Sequence, residues 1–140
     1  MRGYIRPARS FDTEGMRAVV HDRPTISAKL SGWLTNSYVY ALDDGVIAGF
    51  VSRGAAKCDI HALYVRDDFR EQGIGERLLT HVEEIIRAEG EICARLFVES
   101  DNVKARDYYL KRGYSDTGTG QNGWILHKNF RPTSFHEIPL

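Results

Sequence analysis

The spacing of apolar positions changes period several times along this chain, and each change marks an element. Ile60-His61-Ala62-Leu63-Tyr64-Val65 is an apolar, partly β-branched run that predicts a buried strand. After a polar stretch, Ile74, Leu78, Leu79, Val82, Ile85 and Ile86 recur at helical spacing, and Gly90 supplies a C-terminal stop. Upstream, Tyr4 to Arg6 predicts a short first strand and Phe11 to Val20 a weakly amphipathic helix. Pro24 breaks that pattern, and Ser27 caps a second short helix through Leu30 and Trp33. Tyr38–Leu42 and Val46–Val51 predict two strands joined at Asp43-Asp44-Gly45, a strong hairpin signal. Downstream come a strand from Ile92 to Val98, a helix opening near Asn102, and a last hairpin. That hairpin turns through Gly118–Gly123 and returns along Trp124-Ile125-Leu126-His127. The order predicts an α/β protein with a mixed central sheet of about seven strands flanked by helices. Pairing is expected to be antiparallel early and parallel across the two main helices. Residues 1–140 read as a single domain, and the tail 131–140, with two prolines and little periodicity, as a loose or contact-making segment.

Composition removes several function classes. Nineteen basic and nineteen acidic residues cancel, so charge predicts no nucleic-acid or membrane-surface partner. No basic run, zinc-finger spacing or RNA-binding aromatic motif occurs. No apolar stretch is long enough to span a bilayer, and no charged-then-apolar signal opens the chain, so the expected compartment is the cytoplasm. Cys58 and Cys93 stand apart and read as reduced packing residues. The five histidines show no paired ligand spacing, so no metal is expected.

The chemistry begins at Arg70-Glu71-Gln72-Gly73-Ile74-Gly75, where the strand feeds a polar turn and the turn opens the helix. The first amides of a helix have no internal acceptor and carry the positive end of its dipole. Glycines there remove the Cβ atoms that would hold an anion away, so the stretch suits a pyrophosphate, with Arg70 and Arg77 bracketing it. No Gly-Lys-Ser/Thr follows, which excludes the phosphate loop of nucleotide hydrolases. The third glycine of the dinucleotide fingerprint is missing as well.

The stretch resembles the Arg/Gln-x-x-Gly-x-Gly/Ala signature of the GNAT superfamily, the acyl-CoA-dependent N-acetyltransferases. A second segment, Asn102-Val103-Lys104-Ala105-Arg106-Asp107-Tyr108-Tyr109-Leu110-Lys111-Arg112-Gly113-Tyr114, is similar to that family's Asn-x-x-Ala-x-x-x-Tyr-x-x-x-Gly-Phe, with Tyr114 in place of the usual phenylalanine. Physically, Asp101 or Asn102 is a good N-cap and Gly113 stands where a left-handed C-cap is wanted. Two motifs in order, about thirty residues apart, carry more than either alone, and the likeness covers roughly residues 38 to 129.

The resemblance implies a GNAT-like sheet and an acetyl-CoA co-substrate with no metal. It places the pyrophosphate on Arg70, Glu71, Gln72, Gly73, Ile74, Gly75 and Glu76, and the pantetheine arm along Leu63, Tyr64 and Val65. Asn102 and Ala105 also lie on the cofactor side, with Tyr108 beside them as the packing member of the tyrosine pair. The implied reaction is attack of an amine on a thioester, which needs a base, an oxyanion donor (an amide near Val65) and an acid for the departing sulfur. Tyr109 falls on the family's general-acid position. A phenol of pKa ~10 stays protonated at neutral pH and can protonate a thiolate whose thiol has pKa ~8.5. The competing reading of Tyr109 is a core tyrosine whose hydroxyl only finds a partner.

The base stays open at this level. Alternation puts Asp59, His61, Leu63 and Val65 on one strand face. His-Ala-Leu-x-Val is similar to the strand of the arylalkylamine N-acetyltransferases, where the matching histidine relays the proton. In other members a carboxylate acts from the position of Asp59. His61 is the first choice, with an intrinsic pKa of ~6.5, and Asp59 and ordered water are the others. The acceptor pocket is implied around residues 21–38 and 118–123. It offers Trp33 and Tyr38 but only Asp22 as an acid, so a polycationic acceptor is not specifically signalled. The implied partner is a small-molecule or peptide amine. A non-catalytic acetyl-CoA-binding module is the rival class. Many family members dimerise, and the late strands with the Pro132–Leu140 tail would offer the surface for a homodimer.

Overall fold

The computed structural model describes residues 2–120 and 122–130. Its strands are β1 (Gly3–Pro7), β2 (Ser37–Leu42), β3 (Ile47–Arg53), β4 (Ile60–Val65), β5 (Cys93–Glu99), β6 (Ser115–Gly120) and β7 (Gly123–Asn129). The helices are α1 (Thr13–Val19), α2 (Pro24–Ser27), α3 (Leu30–Trp33), α4 (Ile74–Ala88) and α5 (Val103–Leu110). The described residues are therefore α/β, with seven strands flanked by helices, as the apolar pattern predicts.

The chain divides into two compact units. The first comprises the residues up to Gly54 together with Ile60–Glu84. Its sheet runs β1-β2-β3-β4, with every neighbouring pair antiparallel. Met16, Leu30, Val39 and Phe50 are fully buried at the centre of its core. β3 is buried at almost every position and does not alternate. Gly15 of α1 lies against Ile47, and Leu78 of α4 lies over Gly49, so two helices meet this strand. Buried Ser37, Ser52 and Asp12 have hydrogen-bond partners. Ser37 and Ser52 share a 2.6 Å hydrogen bond between their hydroxyls. Asp12 accepts from both terminal nitrogens of Arg6 at 2.7 and 2.8 Å and from the Arg9 amide at 2.8 Å.

The second unit holds Ala55–Asp59 and the described residues from Ile85 onward. Its sheet runs β5-β7-β6, again antiparallel throughout. β5 and β6 both run antiparallel to β7, so they share one direction with β7 inserted between them. That insertion is why α5, which joins β5 to β6, yields no adjacent parallel pair. The parallel pairing expected across α4 is reduced to one isolated bridge, Asp59 with Arg95. Gly123 makes β7's position possible, since a Cβ there would stand 2.1 Å from the Val98 carbonyl oxygen. Along β5 the alternation is regular, with Ala94, Leu96 and Val98 buried.

Both main helices end as the glycine signals predict. Gly90 and Gly113 take φ of 90° and 95°. The amides of Gly90 and Glu91 donate to Arg87 and Ile86, and those of Gly113 and Tyr114 to Leu110 and Tyr109, the paired bonds of a Schellman close. The region after α1 departs from expectation. Pro24 occupies the first turn of α2 instead of breaking a helix, a position where its missing N–H costs nothing. Ser27 ends that turn, and the residue before α3 is Lys29. The tail 131–140, and Gln121 in the last hairpin, lie outside the described residues.

The Arg6–Asp12 pair sets an acid sensitivity. Burial alone would raise the Asp12 carboxyl, but the Arg6 guanidinium and the Arg9 amide together hold it below its ordinary value. The unfolded chain therefore binds this proton at higher pH than the folded one does. The stabilisation is complete above the unfolded carboxyl pKa, ~3.9, and is lost as pH falls through the lower folded value. Urea denaturation repeated across the acid range should show stability falling below about pH 4, with a shallower fall in Asp12→Asn.

Candidate active site

The turn between β4 and α4 is built by short local bonds. The Arg66 amide donates to Ala48 at 2.8 Å and extends the β3–β4 ladder by one residue. A 3₁₀ turn at Asp67–Phe69 follows, then Arg70 in extended backbone. Glu71 takes φ 64° and is the single non-glycine residue with positive φ among the described residues; Gly73 takes φ 80°. A left-handed non-glycine residue costs roughly 1–2 kcal/mol and is found where surrounding structure fixes the backbone for a purpose. The first helical bond runs from Arg77 N–H to the Gly73 carbonyl at 3.1 Å, so Gly73 is the cap residue and Gly75 the second helical residue. Ile74 and Gly75 then supply first-turn amides, for which a helix offers no carbonyl of its own. A Cβ built on Gly73 would meet nothing within 4 Å. A buried Ile74 pins this end of the helix from below. First-turn amides, a dipole end and open space at the cap fit the pyrophosphate of coenzyme A, which the residues Arg70 to Glu76 would hold.

Positive charge surrounds the turn but is partly matched. Arg70 pairs with Asp67 at 2.9 Å and Arg66 with Asp68 at 2.9 Å. Such exposed pairs are worth about 1 kcal/mol or less, so a phosphate could replace the carboxylates. Arg77 turns away to donate to the Tyr40 hydroxyl at 3.0 Å and ties α4 to β2. A cavity of about 390 Å³ opens beside the turn, lined by Ala18, His21, Arg66, Asp67 and Asp68. His21 and Arg66 carry no sequence signal, because the contact joins the end of α1 to a turn more than forty residues later.

β4 is the terminal strand of its sheet, so its outer backbone groups make no ladder bond within that sheet. Leu63, Tyr64 and Val65 are half-buried there. The Tyr64 ring packs on Phe50 with centroids 5.7 Å apart, and the Arg23 guanidinium stands 5.3 Å from its centroid. His61 is exposed between buried Ile60 and Ala62, and its ring meets that of Trp33 at 4.8 Å and 87°.

The remaining candidates belong to the second unit. Asp59 receives Nε and Nη2 of Arg95 on Oδ1 at 2.8 and 2.7 Å, and the Ala56 amide on Oδ2 at 3.3 Å. Cys58 and Cys93 are free thiols. Burial, then the Asp59 charge, pushes the Cys58 thiol up, away from thiolate chemistry. Asn102 caps α5, its Oδ1 accepting from the Ala105 amide at 3.2 Å. Tyr109 is half-buried, with edge-on contacts to Tyr108 at 5.3 Å and Tyr114 at 5.5 Å. Arg112 lies 3.5 Å over the Tyr108 ring and donates to the Tyr108 carbonyl. The structure thus gathers His61, Leu63–Val65 and Arg70–Glu76 in the first unit, and Asp59, Asn102, Ala105, Tyr108 and Tyr109 in the second. Among the described residues no group of three or more His, Cys, Asp or Glu could hold a metal ion, and no helix is long and apolar enough to cross a membrane.

Known proteins are similar to this chain in sequence and in fold. The sequence model described as the acetyltransferase (GNAT) family matches residues 7–114. The chain is 26% identical over 95 residues to the spermidine N(1)-acetyltransferase of Thermoplasma acidophilum, covering 66% of this chain and 59% of that protein. It therefore spans about three fifths of that relative's length. Its fold is similar to that of the PaiA N-acetyltransferase of Thermoplasma acidophilum in complex with coenzyme A, with TM-score 0.79, 20% identity, and coverage of 93% and 100% of the two chains. The ribosomal-protein-S18-alanine N-acetyltransferase of Escherichia coli gives TM-score 0.76, 16% identity and 94% and 96% coverage.

Proposed function

The chain belongs to the GNAT family of acetyltransferases, and on that premise we propose that it moves the acetyl group of acetyl-CoA to a primary amine of a small molecule, by direct attack while both are bound. The observation that carries this reading is the α4 cap: Gly73 at positive φ, with open space where its Cβ would stand, at the positive end of a fifteen-residue helix. One catalytic domain formed by the whole chain is part of the reading, supported by a family match that runs through both units.

Roles follow from the chemistry. Arg70 to Glu76 bind the pyrophosphate, and the outer edge of β4 at Leu63, Tyr64 and Val65 pairs with the pantetheine amides. An amide near Val65 steadies the oxyanion formed when the amine nitrogen bonds to the thioester carbon. As the C–S bond breaks, Tyr109 gives its phenolic proton to the sulfur. His61 takes the proton lost by the amine. Asp59 is the weaker candidate because its carboxylate is held by Arg95, an ion pair that would have to open before it could accept a proton. Asn102 keeps its cap role beside the cofactor, with Ala105 and Tyr108.

The likeness to a spermidine N(1)-acetyltransferase puts spermidine first among amines to try. Thiol release from acetyl-CoA should rise above background with at least one amine in a panel of spermidine, small monoamines and peptide N-termini. Turnover confined to peptides would replace the small-molecule acceptor with a protein one. Cofactor binding without turnover on any amine would make the chain a binding module.

A further inference from the structure

We propose that Trp33 is a positioning residue for His61, an inference that rests on the reading of His61 as the base. An exposed histidine on a strand samples several rotamers, and proton transfer needs one of them. The His61 side chain lacks burial of its own, while its strand neighbours Ile60 and Ala62 are buried. What meets its ring is the indole of Trp33, near-perpendicular at 4.8 Å between centroids.

Trp33 is itself fixed from behind. It is half-buried against the core that contains Met16, Leu30, Val39 and Phe50. Its carbonyl accepts the Ser37 hydroxyl at 2.7 Å, and that hydroxyl shares a 2.6 Å hydrogen bond with Ser52. Both serines are buried, at 2% and 0% exposure, so neither can exchange its partner for water. Ser52 of β3 stands opposite Ala62 of β4, the residue next to His61. The links therefore close on themselves: His61 to Ala62 along the strand, across to Ser52, through Ser37 to Trp33, and back through the two rings. A wall tied to the strand it faces holds the imidazole at a fixed angle to that strand. None of these residues needs to touch the acetyl donor for the effect.

The test compares Trp33→Leu, Trp33→Phe and His61→Ala. With the ring gone, kcat of Trp33→Leu should fall by about 10-fold to 10²-fold, the scale of a 1 Å misplacement, while KM for the amine stays within about twofold. Trp33→Phe keeps an aromatic wall and should recover most of the loss. In NMR spectra, the His61 ring protons, assigned by their disappearance in His61→Ala, should shift in Trp33→Leu as the indole ring current is removed. A raised amine KM with kcat intact would make Trp33 a substrate contact and overturn the proposal. So would unchanged kcat and ring shifts in folded Trp33→Leu beside an impaired His61→Ala. Full turnover in His61→Ala would remove the base itself and overturn the proposal with it, while the ring shifts report separately whether the two rings meet.

Discussion

Tyr109→Phe lowers turnover by about 10²–10⁴-fold and leaves acetyl-CoA affinity nearly unchanged, the outcome expected if this phenol protonates the departing thiolate. The substitution removes one oxygen and one proton and nothing else of the ring. The edge-on contacts of the ring with Tyr108 and Tyr114 are made by carbon atoms and survive in phenylalanine, so the fold should be kept. Without a proton donor the sulfur must leave as a bare thiolate, and the transition state loses the hydrogen bond that strengthens as the C–S bond stretches. The loss should therefore fall on kcat, with KM for acetyl-CoA moving little. Steady-state kinetics with the best amine decide it, alongside a thermal melt. Turnover near that of the wild type in a folded variant would reduce Tyr109 to a packing residue of the α5 aromatic cluster.

Gly73→Val weakens acetyl-CoA binding by about 10²-fold or more, the equivalent of losing about 3 kcal/mol of charge-assisted hydrogen bonds from first-turn amides to phosphate. Two effects act together. A β-branched residue is strained at φ 80°, and its side chain enters the open space in front of the helix cap. Gly90 supplies a control for the first effect alone. It sits at the other end of α4 with φ 90° and equally open surroundings, but at the carbonyl end of the helix, away from the first-turn amides. Gly90→Val should carry the same backbone strain and leave cofactor affinity intact. Calorimetric titration of both variants separates strain from occupation of the site. Equal affinities for wild type and folded Gly73→Val would remove the phosphate assignment.

Much of this protein is local in origin and was legible in the sequence. The helical spacing from Ile74 to Ile86, the stop at Gly90, the cap at Asn102 and the hairpin at Asp43-Asp44-Gly45 each depend on residues within a few positions of one another. Periodicity and turn chemistry act over that range, so the elements follow from it. The α4 cap was legible for the same reason, since a strand, a polar turn and two glycines are contiguous.

What the tertiary structure decided is what joins distant segments. β7 enters between β5 and β6 because Gly123 lets its backbone approach Val98, and no periodicity encodes which strands become neighbours. Arg77 brackets the glycine turn with positive charge in the sequence, yet its guanidinium donates to the hydroxyl of Tyr40, thirty-seven positions away. Asp59 and His61 shared one strand face in the sequence, with His61 the first choice as base. Folding gave Asp59 to Arg95 and left His61 exposed against Trp33. The sequence by itself determined the elements, the family resemblance and the identity of the candidate groups, because those rest on local backbone preference and contiguous motifs. Only the tertiary structure decided which of those groups are already engaged, because a charged or aromatic side chain is claimed by whichever partner the packing of remote segments brings within a few ångströms.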